Sequence, residues 1–225
     1  PPVPSITYDE LVAAGFLAYT SAWEFVAERF HCDEAFLRRI NSHLPESPIV
    51  GTVFQVPNVI PFEIEKALEP PLQPAADPEK PVSAAIVGLS LLEISQQGTL
   101  IAVMPVATAR PGLRGSGVWT VADAIPQPRM ATKQEPREAR SANPGPLESD
   151  QFLAPGPNNP AGIVWINLAR SKNSEPLTYF GLHGTSIPSQ MKSLHGIGGM
   201  RLANWDIARA VRLIPAGTPL QWRAK

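Results

Sequence analysis

The chain has 225 residues, a formal net charge of −1 and one cysteine, Cys32. Its length allows one large domain or a medium and a small one. The balanced charge excludes the basic face that nucleic acid requires, and a lone cysteine excludes an intramolecular disulfide framework. No apolar run approaches the ~20 residues of a membrane-spanning helix. Proline is abundant, at 26 residues, and predicts loops and extended segments. The opening Pro1-Pro2-Val3-Pro4 has the look of a chain whose export signal has been removed, or of a trimmed chain.

In chain order, Tyr8, Leu11, Val12 and Phe16 predict a short amphipathic piece. Trp23, Val26, Ala27 and Phe30 recur at i, i+3, i+4 and i+7, one face of a helix. Thr20 or Ser21 would cap it, with Glu24 as the capping-box partner of Ser21. A second helix is predicted from Asp33, with Phe36, Leu37 and Ile40 on one face and Asn41 near its end. Residues 51–57 read as a short strand. The proline-rich run 69–81 reads as an extended, semi-rigid connection and marks a domain boundary. Residues 85–94 and 100–108 are apolar, with a turn signal at Gln96-Gln97-Gly98-Thr99, and predict a hairpin opening an antiparallel sheet. Glycines at Arg114-Gly115-Ser116-Gly117 mark a turn before a strand at 118–121.

Residues 126–160 carry many prolines and little periodicity, as expected of a long loop or flap over a cleft. A strand at 163–168 follows, with Trp165 read as core. Lys172-Asn173-Ser174-Glu175-Pro176 reads as an exposed loop. The strand Tyr179-Phe180-Gly181-Leu182 then delivers His183 at its end. A loop with Ser186, Pro188 and Ser189 leads to Gly196-Ile197-Gly198-Gly199, with Arg201 just beyond. A helix is predicted from Asn204, its buried stripe formed by Ile207, Ala210, Val211 and Ile214. Asn204 and Asp206 read as cap and first-turn residues. Residues 220–222 read as a closing strand.

A histidine at a strand end, facing a glycine-rich turn that enters a helix, suits a base beside backbone N–H donors. Gly198 and Gly199 would supply such donors, or only a tight turn. His195 reads as exposed. Arg201 has the planar fork that pairs with a carboxylate, of a substrate or of an internal partner such as Asp206. His31, Cys32, Asp33 and His43 do not fit a common zinc spacing, and no metal or cofactor is expected.

These residues resemble the catalytic domain of L,D-transpeptidases, cysteine enzymes of the bacterial cell wall. His183-Gly184-Thr185 matches the family's first motif and Arg201-Leu202-Ala203-Asn204-Trp205-Asp206 its last. Pro105-Val106-Ala107-Thr108 and the run 156–162, Gly-Pro-Asn-Asn-Pro-Ala-Gly, match two further phrases. Anchored on Arg201, the family's Ser-His-Gly-Cys falls on Gly196, Ile197, Gly198 and Gly199. The nucleophile position is therefore glycine, which forms no acyl-enzyme. Loss of the nucleophile of such a unit costs on the order of a million-fold in rate, and Ser193 lies too far upstream to replace it. Residues 18–58 weakly resemble a LysM module, a small glycan-binding fold.

The resemblance implies a mainly β, L,D-transpeptidase-like sandwich or mixed sheet with a short C-terminal helix. A small α-rich LysM-like module would precede it. The expected divisions are 1–60 module, 61–81 linker and 82–225 main domain. The expected site is His183 at the base position, Gly199 at the cysteine position, Gly198 as oxyanion backbone, and Arg201 and Gly184 toward the substrate. The implied setting is exported, in the periplasm or cell envelope, with peptidoglycan stem peptide, glycan or an envelope protein as partner. Three functions follow: a noncovalent peptidoglycan or partner binder, an active transpeptidase whose native cysteine has been substituted at Gly199, or a structural envelope protein without ligand.

Overall fold

A computed structural model describes residues 8–67, 76–77, 79–108, 117–131, 152–170, 180–185, 187–188, 191 and 199–223. The N-terminal part is helical, with α1 (Tyr8–Ala13), α2 (Ala22–Arg29) and α3 (Glu34–Ile40). Ser21 caps α2 by accepting from Glu24 N at 3.0 Å. The Glu24 carboxylate reaches one residue further than a capping box, to Thr20 N at 2.6 Å. Asp33 caps α3 by accepting from the amides of Ala35 and Phe36. Trp23, Ala27 and Leu37 form a small core with Val26, Ile40, Leu44, Phe54 and Val56 packed round it.

The strand expected at 51–57 is not formed: this segment is irregular and joins no sheet. Side-chain bonds hold it instead. The buried Asn41 amide donates to Leu37 O at 2.9 Å and Gln55 O at 2.8 Å, and accepts from Gln55 N at 2.7 Å. One amide thus satisfies backbone groups that a ladder would otherwise pair.

In the segment expected as linker, residues 61–67 do not run free. They form α4 (Ile64–Ala67), and Phe62 is buried in the core of the main domain. Arg29 bridges to Glu63 and Glu65, and Phe62 N donates to Arg29 O at 2.7 Å. Ala76 N donates to Arg212 O at 3.2 Å. Residues 68–75 lie outside the described residues.

The main domain is mainly β. Its strands are β1 (Val82–Val87), β2 (Leu91–Gln96), β3 (Thr99–Pro105), β4 (Ala107–Thr108) and β5 (Val118–Pro126). Then follow β6 (Met130–Ala131), β7 (Phe152–Leu153), β8 (Val164–Ala169), β9 (Gly181–His183), β10 (Met200–Arg201) and β11 (Pro219–Arg223). The apolar run 85–94 is two strands rather than one, broken at Gly88 and Leu89, both left-handed. The predicted turn at 96–99 is present, with Gln97 and Gly98 both at positive φ, as a tight hairpin requires.

The main sheet runs β3-β2-β1-β11-β5-β8-β9-β10-β4. Its two end strands, β3 and β4, are separated in the chain only by Val106. The ends of the sheet therefore lie together, and the sheet curls round its core. The closing strand predicted at 220–222 is β11, but it lies inside the sheet, parallel to β1 and antiparallel to β5. β6 and β7 pair as a separate ribbon within the stretch expected to form a flap.

The helix α5 (Asn204–Leu213) lays Ile207, Ala210 and Val211 into the core with Ile166, Leu168, Leu182 and Met200. Substitution Asn41→Ala removes all three bonds of this buried amide and should cost about 1–3 kcal/mol in chemical denaturation.

Candidate functional site

Four strands carry the site. β8 pairs with β9 so that Trp165 is opposite His183. β9 pairs with β10 in parallel so that His183 is opposite Arg201. β10 pairs with β4 so that Arg201 is opposite Ala107. In-register residues on neighbouring strands share a face. Trp165, His183, Arg201 and Ala107 thus form one row across the sheet.

His183 is fully buried, and its ring stacks on Trp165 with centroids 5.2 Å apart and planes 13° from parallel. Its Nδ1 lies 2.7 Å from Gly184 O. A carbonyl oxygen only accepts, so Nδ1 donates to it, and Nε2 is the nitrogen through which the ring would act as a base. Leu202 N donates to His183 O at 2.8 Å and Gly184 N to Val164 O at 3.2 Å, which fixes the turn after β9 from both neighbouring strands.

The Arg201 guanidinium is almost wholly buried and donates to Met191 O at 3.3 Å. Burial lowers its pKa. The internal partner proposed for it, Asp206, sits instead in the field of Arg209.

Gly199 lies next to Gly181, two residues before Arg201 on the same strand edge. Its φ is +119°, and a Cβ there would stand 2.2 Å from Gly181 O and 2.8 Å from Gly181 N. A side chain at 199 would be driven into the β9 backbone. The approach demands glycine both for the dihedral and for the space. Gly198, with Gly196, Ile197, Ser193, His195, Ser186 and Ser189, lies outside the described residues.

Sequence reasoning missed a second layer behind this row. Asn204 is not the cap of α5; that place is taken by Ala203, with no side-chain cap bond. The fully buried Asn204 amide points across the domain. It donates to Glu28 Oε1 at 2.8 Å and Pro157 O at 3.2 Å, and its Oδ1 accepts from Ile163 N at 3.3 Å. The same oxygen fills the space where a Cβ of Gly184 would be, 2.3 Å away. Glu28, from α2, also accepts from Tyr19 Oη. Nearby, His31 stacks on Trp205 with centroids 5.1 Å apart. A buried glutamate amid exposed helix charges gives no sequence signal, because its partner is 176 residues away.

An open cavity of about 210 Å³ lies between the module and the turn after β9. Thr20, Glu24, Glu28, Cys32, Ile187 and Pro188 help line it. Its acidity is accounted for internally. Glu24 is bound to Thr20, Asp33 caps α3, Glu34 pairs with Arg38 at 2.8 Å, and Glu28 holds Tyr19 and Asn204. Burial raises the Cys32 thiol pKa, which disfavours the nucleophilic thiolate.

No protein-family model matches the chain. The chain is 30% identical over 64 residues to a putative L,D-transpeptidase YkuD of Bacillus licheniformis. That stretch is 28% of this chain and 34% of the Bacillus protein, so about a third of the relative is spanned. Among solved structures it is similar to L,D-transpeptidase 1 of Mycobacterium tuberculosis, at 13% identity and TM-score 0.38, covering 64% of this chain and 61% of that one. It is likewise similar to an L,D-transpeptidase from Mycobacterium smegmatis, at 16% identity and TM-score 0.40, covering 64% and 59%.

Burial pushes the Glu28 carboxyl up from 4.5 to about 7, its bonds to Tyr19 and Asn204 opposing the rise. Burial likewise raises Asp206 from 3.8 to about 6. The folded chain therefore keeps protons that the unfolded chain has released, and stability falls as pH rises through this window. Denaturation midpoints should drop between pH 4.5 and 7, and Glu28→Gln should flatten the upper part of that profile. Gly199→Ala should lower the unfolding free energy by about 2–4 kcal/mol in chemical denaturation, because strain and overlap act together.

Proposed function

We propose that this chain is an L,D-transpeptidase-family protein of the cell envelope that binds peptidoglycan stem peptide, or an envelope partner, without covalent catalysis. The observation that carries this reading is Gly199. Its backbone packs on Gly181 with no space for a sulfur, and the motif match anchored on Arg201 assigns it to the family's cysteine position. The sequence likeness to the Bacillus protein, named a putative L,D-transpeptidase, supports the family. Among the described residues no helix is long and apolar enough to cross a membrane.

In this reading the site keeps the family's polar frame and loses its chemistry. His183 presents Nε2 as a hydrogen-bond acceptor. Arg201 serves a carboxylate of the bound peptide or holds the loop through Met191 O. Without a nucleophile the histidine has no proton to relay to a leaving group, and binding is the whole function. Had Gly199 replaced a working cysteine, a cysteine restored there would be expected to fit the backbone; the contact with Gly181 weighs against that.

Purified protein incubated with stem tetrapeptide or a β-lactam acylator should show no added mass in intact-protein mass spectrometry, and Gly199→Cys should not acquire one. The same protein should co-sediment with purified peptidoglycan sacculi. A covalent adduct at any residue refutes the noncovalent reading, and failure to co-sediment removes peptidoglycan as the ligand.

A further inference from the structure

We propose that Glu28 of the N-terminal module is a positioning residue for His183, acting through Asn204 on the Gly184 carbonyl that selects the imidazole tautomer. Glu28 is 6% exposed, whereas the other charged residues of α2, Glu24 and Arg29, are partly exposed, and it bonds across the chain to Asn204. Asn204 has little freedom once that bond is made. Its nitrogen spans Glu28 Oε1 and Pro157 O, and its oxygen takes the Ile163 amide.

The amide is seated on two glycines. A Cβ on Gly184 would come within 2.3 Å of Asn204 Oδ1, and one on Gly162 within 2.5 Å. The side-chain oxygen therefore takes the place of a Cβ on the turn directly after β9 and packs on its backbone. That turn presents Gly184 O to His183 Nδ1 at 2.7 Å. The peptide before this carbonyl is held at the Gly184 N–H by Val164 O, and the α-carbon that joins the two peptides rests against Asn204 Oδ1. Glu28, Asn204, Gly184 and His183 form a contiguous series of contacts from the module to the imidazole.

Without Glu28 the Asn204 nitrogen keeps only the longer bond to Pro157 O. The amide is then held only by Pro157 O and by Ile163 N at its oxygen, its packing on Gly184 loosens, and the Nδ1–H bond weakens. A hydrogen bond of this kind contributes on the order of 1 kcal/mol, so its weakening shifts a two-state tautomer ratio by up to about fivefold. Helix α2 is thereby part of the site: it sets which ring nitrogen carries the proton.

The inference rests on the reading of His183 as the polar centre of the site, but it is tested without ligand. Imidazole ¹⁵N spectra of the full chain, assigned with His183→Ala, report the protonated nitrogen directly. Wild type should show the Nδ1–H form, and Glu28→Ala should raise the Nε2–H form several-fold. Glu28→Gln keeps an acceptor for Asn204 and should restore the wild-type pattern. Glu28→Asp withdraws the carboxylate by one methylene and serves the same purpose as the alanine variant if that variant does not fold. Arg29→Ala breaks the bridges to Glu63 and Glu65 without touching Asn204, so it should lower stability and leave the tautomer unchanged. The proposal is overturned if Glu28→Asp or Glu28→Ala, still folded, leaves the spectrum as in wild type. It is equally overturned if Arg29→Ala alters the spectrum to the same extent. Sacculus binding is measured separately, so its loss or retention bears on the ligand and not on this coupling.

Discussion

The parallel pairing of β9 with β10 is the constraint on which the site depends. It sets His183 opposite Arg201 and brings Gly199 against Gly181. A parallel pair needs a crossover between its strands, here the chain from 184 to 199. The closeness of the two backbones is bought with side chains: both positions at the tightest approach are glycine. The same pairing that assembles the polar row leaves no room for a side chain at position 199.

Much of this was legible in the sequence, for reasons that differ by element. The stripe Ile207, Ala210, Val211 and Ile214 read correctly because a helix on a core repeats at a fixed interval, and all four are buried. The strand expected at 163–168 read correctly because a buried strand is an apolar run, whereas the run 100–108, expected as one strand, is divided at Val106 into the half-exposed β3 and the short β4. Placing His183 at a strand end also succeeded, since the apolar run stops there. The run 85–94 read as continuous because its break, at Gly88 and Leu89, lies between equally apolar flanks. Residues 51–57 looked like a strand from composition alone, yet the Asn41 side chain takes the backbone bonds that a neighbour would have made.

The site was less legible than the fold. Asn204 has the spacing of a helix cap, and nothing local says that its amide is engaged elsewhere. Trp165 read as core packing; the ring is partly buried, but its face is the platform for His183. Glu28 reads as one more charge on an amphipathic helix. These roles arise from contacts between distant segments, such as residues 28 and 204 or 165 and 183. Periodicity and local motifs report only on neighbours along the chain. The motif Pro105-Val106-Ala107-Thr108 marks a different case, a local phrase with a long-range purpose. Val106 turns the chain from one end of the sheet to the other, and Ala107 lands beside Arg201.

The position of β11 bears on how the protein is made. Synthesised after every other described strand, it sits between β1 and β5 and joins the β1–β3 hairpins to the half of the sheet that carries His183. Until it emerges from the ribosome, two apolar half-sheets wait with open edges, each able to pair with the wrong neighbour. Assembly of the main domain waits for translation to reach the far end of the sheet, and the nascent chain is at its stickiest just before then.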